Sequence, residues 1–257
     1  MQRHEYLGEG GTFQNAPTIT PGVGAKGAYA QLLAAAAFNY DGLLLQIRPS
    51  GVPQRVLVDL AVGAATFEQV IASDLYVIAS TNGAVSSFFP LPIRVPAGSR
   101  LSVRGQSNVA DAVVARYFAY AGGFRQSSPL GLVTTLGQDL TNTRGTVLTA
   151  GAANTYGAWV QLSASTPVEF RWILLAFGPS SVATAGVSYV DIGIGAAAAE
   201  KPILAEIEVA YAANVNNPSP QTVAFPVFVP PGARLSARTI SDSTGTPTME
   251  VILYGVR

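Results

Sequence analysis

The chain is similar to itself at a shift of about 130 residues, and this internal repeat restricts the fold more than any other feature of its 257 residues. The matching segments are collinear, and the shift grows by only four residues from the first match to the last. They pair residues 27–32 (GAYAQL) with 157–162 (GAWVQL), 58–63 (VDLAVG) with 190–195 (VDIGIG), 95–104 (VPAGSRLSVR) with 229–238 (VPPGARLSAR), and 116–120 (RYFAY) with 250–254 (EVILY). Collinear matches of this kind indicate two copies of one domain.

The repeat predicts a domain at residues 1–125, which includes an N-terminal arm at 1–26, and a second domain at 126–257. The predicted connection is the polar segment 121–142, which contains Gly122, Gly123 and Pro129. Glycine and proline interrupt regular structure, so a linker is expected there.

Each copy has the pattern of short strands separated by turns. Apolar and polar residues alternate in residues 100–104, 168–172 (VEFRW) and 206–209 (EIEV), which is the period of a half-buried strand. The sequences PAG at 96–98 and PPG at 230–232 predict turns between strands. The expected fold class is therefore all-β, with two tandem homologous antiparallel β-sandwich or jelly-roll-like domains.

Two alanine-rich segments, residues 32–37 and 195–200, are compatible with helix. We predict both as extended, because Pro202 follows the second segment and the surrounding sequence is rich in strand-forming residues.

The low charge of the chain limits its partners. Only 12% of the residues are charged, about half the usual share of about 25%, and the formal net charge is zero. A nucleic-acid-binding surface needs an excess of Lys and Arg, so no nucleic-acid partner is expected. The longest apolar run has seven residues, at 32–38, whereas a membrane-spanning helix needs about 20. We therefore expect no membrane partner, and the polar N-terminal sequence predicts no secretory signal.

The residues of common catalytic devices are scarce. The chain has no cysteine and a single histidine, His4, which lies in the predicted arm or at a strand edge. Ser-His-Asp and Cys-His devices and His-rich metal sites cannot be assembled from these residues. We predict a protein that is not an enzyme, with no catalytic residues, no cofactor and no metal ligands.

One motif matches a dinucleotide fingerprint. Residues 22–27 (GVGAKG) fit G-x-G-x-x-G, and Asp41 follows about 20 residues after its start. The preceding residues 18–21 do not resemble a buried parallel strand, and the second copy has Ala152 and Asn154 in place of the first two glycines. We interpret the segment as a glycine-rich loop that leads into the first strand.

Two carboxylates recur in the repeat, since Asp59 and Glu68 correspond to Asp191 and Glu200. One interpretation is a calcium site or a glycosidase pair. The favoured interpretation is structural: the Asp bonds a turn backbone and the Glu pairs with an arginine. Two carboxylates separated by apolar residues supply fewer oxygens than a calcium ion usually binds.

Four arginines at equivalent strand positions are the candidate interface residues: Arg100, Arg104, Arg234 and Arg238. In a strand, residues two and four apart share a face, so each pair points away from a core that receives the residues between them. One interpretation is an ion pair with a neighbouring carboxylate. The other is contact with another subunit, because arginine is enriched at interfaces.

Aromatic residues offer a second kind of surface. Sugar sites use exposed aromatic rings, and Tyr156, Trp159 and Trp172 would be the residues to test. Tyr29 takes the place of Trp159 in the first copy, which favours a core position for this side chain.

The segments 95–104 and 229–238, each followed by a polar turn and a strand with a tyrosine, resemble β-sandwich virion proteins of tailed bacteriophages. The resemblance implies a structural role, as a capsid decoration or cement protein, in a virion assembled in the host cytoplasm. It also implies that the partners are other virion proteins, a major capsid protein or tail proteins, and that the chain forms a homo-oligomer. A tail-associated accessory protein, or a fibre or receptor-binding protein that recognises carbohydrate, is the alternative.

Overall fold

A computed structural model describes residues 3–6, 17–49, 54–79, 86–121, 132–181, 186–211, 221–243 and 247–257. Within these ranges the regular structure consists of strands, which confirms the all-β fold class. A search of the same ranges finds no helix with the length and hydropathy that crossing a membrane requires.

The first ten strands form two sheets. They are β1 (Arg3–Tyr6), β2 (Thr18–Ile19), β3 (Gly22–Val23), β4 (Ala30–Leu33), β5 (Gly42–Pro49), β6 (Gln54–Val62), β7 (Gln69–Ala79), β8 (Ser87–Leu91), β9 (Leu101–Ser107) and β10 (Val113–Ala121). One sheet has the order β1-β10-β5-β8 with β2 also paired to β10, and the other has the order β3-β9-β6-β7 with β4 also paired to β9. The pairing is antiparallel except between β3 and β9.

The next ten strands repeat this arrangement. They are β11 (Val133–Leu136), β12 (Gln138–Asp139), β13 (Arg144–Thr149), β14 (Val160–Ser163), β15 (Trp172–Ser181), β16 (Gly186–Ile194), β17 (Lys201–Tyr211), β18 (Gln221–Phe225), β19 (Leu235–Ser241) and β20 (Thr248–Val256). One sheet has the order β12-β13-β20-β15-β18 with β11 also paired to β20, and the other has the order β14-β19-β16-β17. Strands β4–β10 thus correspond to β14–β20.

The strand register agrees with the sequence repeat except at the last match. Asp59 lies opposite Arg104 just as Asp191 lies opposite Arg238. On β5 and β15, however, Leu44 pairs with Phe118 and Leu174 pairs with Tyr254. The register therefore aligns Phe118 with Tyr254, two residues away from the sequence match, because the connection before β20 is longer than the one before β10.

Three local predictions need correction. Residues 168–172 form only an isolated bridge, Phe170 with Val229, and β15 begins at Trp172. Residues 195–200 are a turn between β16 and β17, because Gly195 and Ala198 have positive φ angles of 126° and 64°. The strand β4 ends at Leu33, and the chain then bends instead of continuing extended to residue 37.

The predicted linker is partly a strand region. Gly122, Gly123, Pro129 and the boundary near residue 125 lie outside the described residues. The later part of the segment 121–142 carries β11 and β12, which pair with β20 and β13 of the second copy.

The sheet that contains β15 and β20 is buried on both faces. Leu175 and Leu253 belong to the core between the two sheets of the second copy. Their strand neighbours Leu174 and Tyr254 point the opposite way and join a cluster with core residues of the first copy. Alternating residues on one strand face opposite sides of a sheet, so the second copy packs its outward face against the first.

This contact covers the edge strand β7. The Tyr254 hydroxyl accepts a hydrogen bond from the Tyr76 backbone N–H (2.8 Å) and donates one to the Asp74 carbonyl (3.0 Å). The Thr135 hydroxyl donates to the Ser73 carbonyl (2.5 Å). Unpaired backbone N–H and C=O groups on a terminal strand can form hydrogen bonds with another chain. Here residues of the second copy form hydrogen bonds with these groups.

A carboxyl group is buried in the same contact. Glu250 has no exposed surface; its Oε1 lies 3.1 Å from Arg55 Nη2, and Tyr76 donates a hydrogen bond to its other oxygen. Burial raises the pKa of Glu250 from 4.5 to about 7, even though the Arg55 charge and hydrogen bond act to lower it.

The raised pKa predicts a pH-dependent stability. The folded state binds this proton more tightly than the unfolded state, so the free energy of unfolding should fall as pH rises from 4.5 through 7. The difference is on the order of 3 kcal/mol. Glu250→Gln keeps a polar side chain without a titrating proton, and we expect it to flatten this pH dependence in denaturant unfolding curves.

Glu169→Gln is the matched control, because the Glu169 side chain is 43% exposed. This control should retain the profile of the unmodified protein. A Glu250→Gln profile that still falls between pH 4.5 and 7 would contradict the assignment.

Candidate functional site

Each copy carries a polar cluster on the outward face of the sheet that contains β6 or β16. In the first copy Asp59 of β6 is only 2% exposed. Its Oδ2 accepts a hydrogen bond from Arg104 Nε (2.9 Å), and its Oδ1 accepts from Lys26 Nζ (2.6 Å) and from the Asp74 backbone N–H (3.0 Å). Lys26 Nζ also lies 2.6 Å from Asp74 Oδ1. Two cations thus compensate two buried carboxylates.

The second copy builds the same cluster with one cation. Asp191 Oδ2 accepts from Arg238 Nε (2.9 Å), and Arg238 Nη2 lies 2.8 Å from the same oxygen. Asp191 Oδ1 accepts from the Glu206 backbone N–H (2.9 Å). Tyr156 occupies the position that corresponds to Lys26. Arg238 is therefore the ion-pair partner of a carboxylate that is 1% exposed.

Aromatic rings hold the arginines against these carboxylates. The Arg104 guanidinium carbon lies 4.6 Å from the centre of the Tyr29 ring. The Arg238 guanidinium carbon lies 3.8 Å from the centre of Tyr156 and 4.5 Å from that of Trp159. A cation over a ring face is attracted by the ring quadrupole, so both stacks favour the charged arginine in place.

A local sequence difference makes room for the larger ring in the second copy. A Cβ at Gly193 would lie 2.7 Å from the Trp159 ring, so Gly193 is required there. The first copy has Ala61 at this position and the smaller Tyr29 above it.

A second ion pair lies at the start of β9 and of β19. Arg100 Nη1 is 2.9 Å from Glu68 Oε1, and Arg100 Nε donates to Gln31. Arg234 Nη1 is 2.7 Å from Glu200 Oε1, and Arg234 Nε donates to Gln161. The identical glutamines in the sequence repeat are thus explained by one contact made twice.

These pairs shift the titration of their carboxyl groups. The hydrogen bond from Arg234 lowers the pKa of Glu200, against a smaller opposing effect of burial. Burial acts to raise the pKa of Glu68, but backbone hydrogen bonds and the Arg100 contact outweigh it, so the net pKa is lowered. Both groups therefore contribute stability above their ordinary pKa that is lost as pH falls through the lowered value.

All four candidate arginines form ion pairs within their own copy, as the first interpretation of the sequence predicts. Their side chains remain between 18% and 31% exposed. Contact of these residues with another subunit stays a prediction.

The recurring carboxylates make structural contacts, but each Asp pairs with an arginine and its backbone donor lies on a strand instead of in a turn. Each Asp accepts from a backbone N–H on the neighbouring strand, and each Glu pairs with an arginine. Among the described residues, no group of three or more His, Asp or Glu side chains is arranged to hold a metal ion.

Lys26 is a member of the first cluster that no sequence motif indicates. The segment 22–27 lies along β9, with the Gly27 N–H bonded to the Gly105 carbonyl (2.8 Å), and this places Lys26 over Asp59. In the sequence repeat Lys26 corresponds to the uncharged Tyr156, so the repeat does not indicate that Lys26 pairs with Asp59.

Both tryptophans are half-buried instead of belonging to the core. Trp159 contacts Arg238, and Trp172 packs at the margin of the first cluster of apolar residues. His4 lies in β1, whose backbone pairs with β10 at the end of the sheet, with His4 opposite Tyr120. The side chain of His4 is outside the described part of the structure.

Comparison with known proteins assigns no family. No protein-family profile and no curated protein matches the chain. Solved structures with partial similarity include the CBM22-1-CBM22-2 tandem domain of Xyn10C from Paenibacillus barcinonensis, at 10% identity and a TM-score of 0.32, covering 99% of this chain and 91% of that one. They also include the VP2 subviral particle of infectious bursal disease virus, at 9% identity and a TM-score of 0.28, covering 100% and 71%. Similarities at these TM-scores do not establish a shared fold, so neither structure assigns a function to this chain.

The two clusters predict different effects of the same substitution. Arg238→Ala leaves the buried Asp191 without its counter-charge, and we expect a loss of about 3 kcal/mol in the free energy of unfolding. Arg104→Ala should cost less, because Lys26 still neutralises Asp59. Denaturant unfolding of the two variants measures the difference.

The control for both is Arg171→Ala, at a side chain that is 61% exposed, which should change stability by less than about 1 kcal/mol. Equal losses for Arg104→Ala and Arg238→Ala would contradict the role given to Lys26.

Proposed function

We propose that the protein is a non-enzymatic structural component of a bacteriophage virion, a capsid decoration or cement protein that binds neighbouring subunits through its β-sandwich faces. The observation that carries the proposal is the buried contact between the copies. Glu250, Tyr254 and Leu174 fix the second copy against the first, so that one chain presents two similar faces in a fixed orientation. Such a body suits binding to repeated subunits of a symmetric assembly.

The use of charge within the chain supports the same proposal. The recurring arginines and carboxylates neutralise one another inside each copy. These charged groups therefore stabilise the sandwiches, and the outward sheet of the first copy is left with exposed apolar side chains such as Phe88 (47% exposed) and Phe118 (38% exposed). Exposed aromatic residues on a sheet face are typical of contacts with other proteins.

The expected location is the virion, after assembly in the host cytoplasm. The expected partners are a major capsid protein or tail proteins, together with further copies of the chain. The proposal requires no cofactor, nucleic acid or membrane.

The proposal predicts that the protein accompanies intact particles of the phage that encodes it. After density-gradient purification, we expect the protein in the particle fraction, with immunogold label on the capsid. Phe118→Ser in the apolar face should release it from particles, while Phe67→Ser, at an 81% exposed turn residue, should not. Protein found only in the soluble fractions would refute a virion role, and label confined to tails would favour the tail-associated alternative.

The alternative of a receptor-binding or carbohydrate-binding role has one specific observation in its favour. Tyr156 and Trp159 are half-buried rings that lie together in the second copy, whereas the first copy has Lys26 and Tyr29 at these positions. Arg238 covers one face of each ring, so a sugar would have to stack on the opposite face.

Intrinsic fluorescence tests this alternative. The chain has two tryptophans, so Trp172→Phe leaves Trp159 as the only tryptophan, which can be excited selectively at the red edge of the absorption band. If the protein has only a structural role, the fluorescence spectrum of Trp159 should not change when glycans of the host surface are added. A saturable change that is absent from the Trp159→Phe variant, which retains Trp172, would favour the binding module.

A further inference from the structure

The contact inside the chain joins two different surfaces. The cover face is the outward side of β15 and β20 in the second copy, and it includes Leu174, Glu250 and Tyr254. The edge face is the outward side of β6 and β7 in the first copy, and it includes Arg55 and Tyr76. Because the copies are repeats, the first copy has a cover face of its own and the second copy has an edge face of its own.

The cover face of the first copy lies on β5 and β10. The strand register aligns Leu44 with Leu174, Phe118 with Tyr254 and Val114 with Glu250. Leu44 and Val114 are partly exposed and Phe118 is 38% exposed. On the adjacent strand β8, Phe88 is 47% exposed. This face is therefore apolar at the positions that correspond to Leu174, Tyr254 and Glu250, and it carries Gln46 and Arg116 at the positions that correspond to Ala176 and Ile252.

The edge face of the second copy lies on β16 and β17. Tyr189 pairs with Glu208 as Leu57 pairs with Tyr76, so Glu208 takes the place of Tyr76. Glu206 takes the place of Asp74, and each has the positive φ angle of the same bulge, 54° and 55°. Glu206 and Glu208 are exposed, whereas Asp74 and Tyr76 are buried by the second copy.

The charges of these two faces are complementary. Arg48 lies opposite Val114 on the neighbouring strand, and Arg116 follows two residues after Val114 on the same side. They flank the position that corresponds to Glu250. Inside the chain Glu250 contacts Tyr76, and the residue at the position of Tyr76 in the second copy is Glu208. The same docking between two molecules would therefore place Glu208 beside two arginines.

We propose that the protein associates head to tail with copies of itself, the cover face of one molecule docking on the edge face of the next. The contact repeats the one inside the chain. Such a heterologous contact uses different surfaces on the two partners, so it continues into a ring or a filament. Phe118 lacks the hydroxyl with which Tyr254 bonds the backbone of β7, so the contact between molecules is weaker than the internal one and depends on concentration.

Sedimentation velocity over a range of concentrations tests the proposal. We expect the average mass of the unmodified protein to rise with concentration to a ring of defined size or through a series of larger species. Arg48→Glu/Arg116→Glu on the cover face and Glu206→Lys/Glu208→Lys on the edge face should each weaken association by roughly tenfold or more, because like charges then meet. Arg171→Glu, at an exposed arginine that lies on none of the strands β5, β10, β16 and β17, is the matched control and should associate normally.

Mixing the two charge-reversed variants gives the decisive outcome. Each has lost association alone, yet each reversed face meets an oppositely charged partner in the mixture, so association should return. A chain that remains monomeric at every concentration overturns the proposal, and so does association that Glu206→Lys/Glu208→Lys leaves unchanged. Circular dichroism of each variant confirms that a loss of association is not a loss of folding.

The inference is independent of where the protein acts. Failure to find the protein in virions would remove the proposed function and leave head-to-tail association standing. A strict monomer that still binds particles would do the reverse.

Discussion

The buried contact between the two copies is the constraint on which the rest of the structure depends. The sheet of β15 and β20 packs against apolar residues on both faces. Tyr254 and Leu174 pack against the first copy, whereas Leu253 and Leu175 pack in the core of the second copy. Glu250 is fully buried in this contact, and burial raises its pKa to about 7. The contact between the copies is therefore expected to depend on the protonation of Glu250.

The outward polar clusters show how a chain with few charges uses them. Each recurring arginine is held by a carboxylate and, at Arg104 and Arg238, by an aromatic ring. The first copy adds Lys26, whereas the second substitutes Tyr156 and has room for Trp159 because residue 193 is glycine. Duplication has thus preserved the ion pairs and allowed their surroundings to diverge, which is how one chain can present two related but different surfaces.

Much of the candidate site could be predicted from the sequence. Spacing along a strand places Arg100 and Arg104 on one face, and the recurring Glu68 was expected to pair with an arginine. That Asp59 is the partner of Arg104 came from the structure. Lys26 could not be predicted, because its neighbours along the chain say nothing of a carboxylate 33 residues away. The sequence match also could not predict that Phe118 corresponds to Tyr254. This register is set by the hydrogen bonds between β10 and β5 and not by residue identity.

The sequence by itself showed that the two halves of the chain are similar and predicted an all-β fold, because period, composition and turn residues are local properties. It also predicted that each recurring Glu pairs with an arginine, whereas the structure showed that Asp59 and Asp191 pair with Arg104 and Arg238. Only the tertiary structure decided which faces of the two copies meet. Burial of Tyr254 and Glu250 depends on strands of the other copy, and no local pattern distinguishes these residues from Phe118 and Val114, which remain partly exposed.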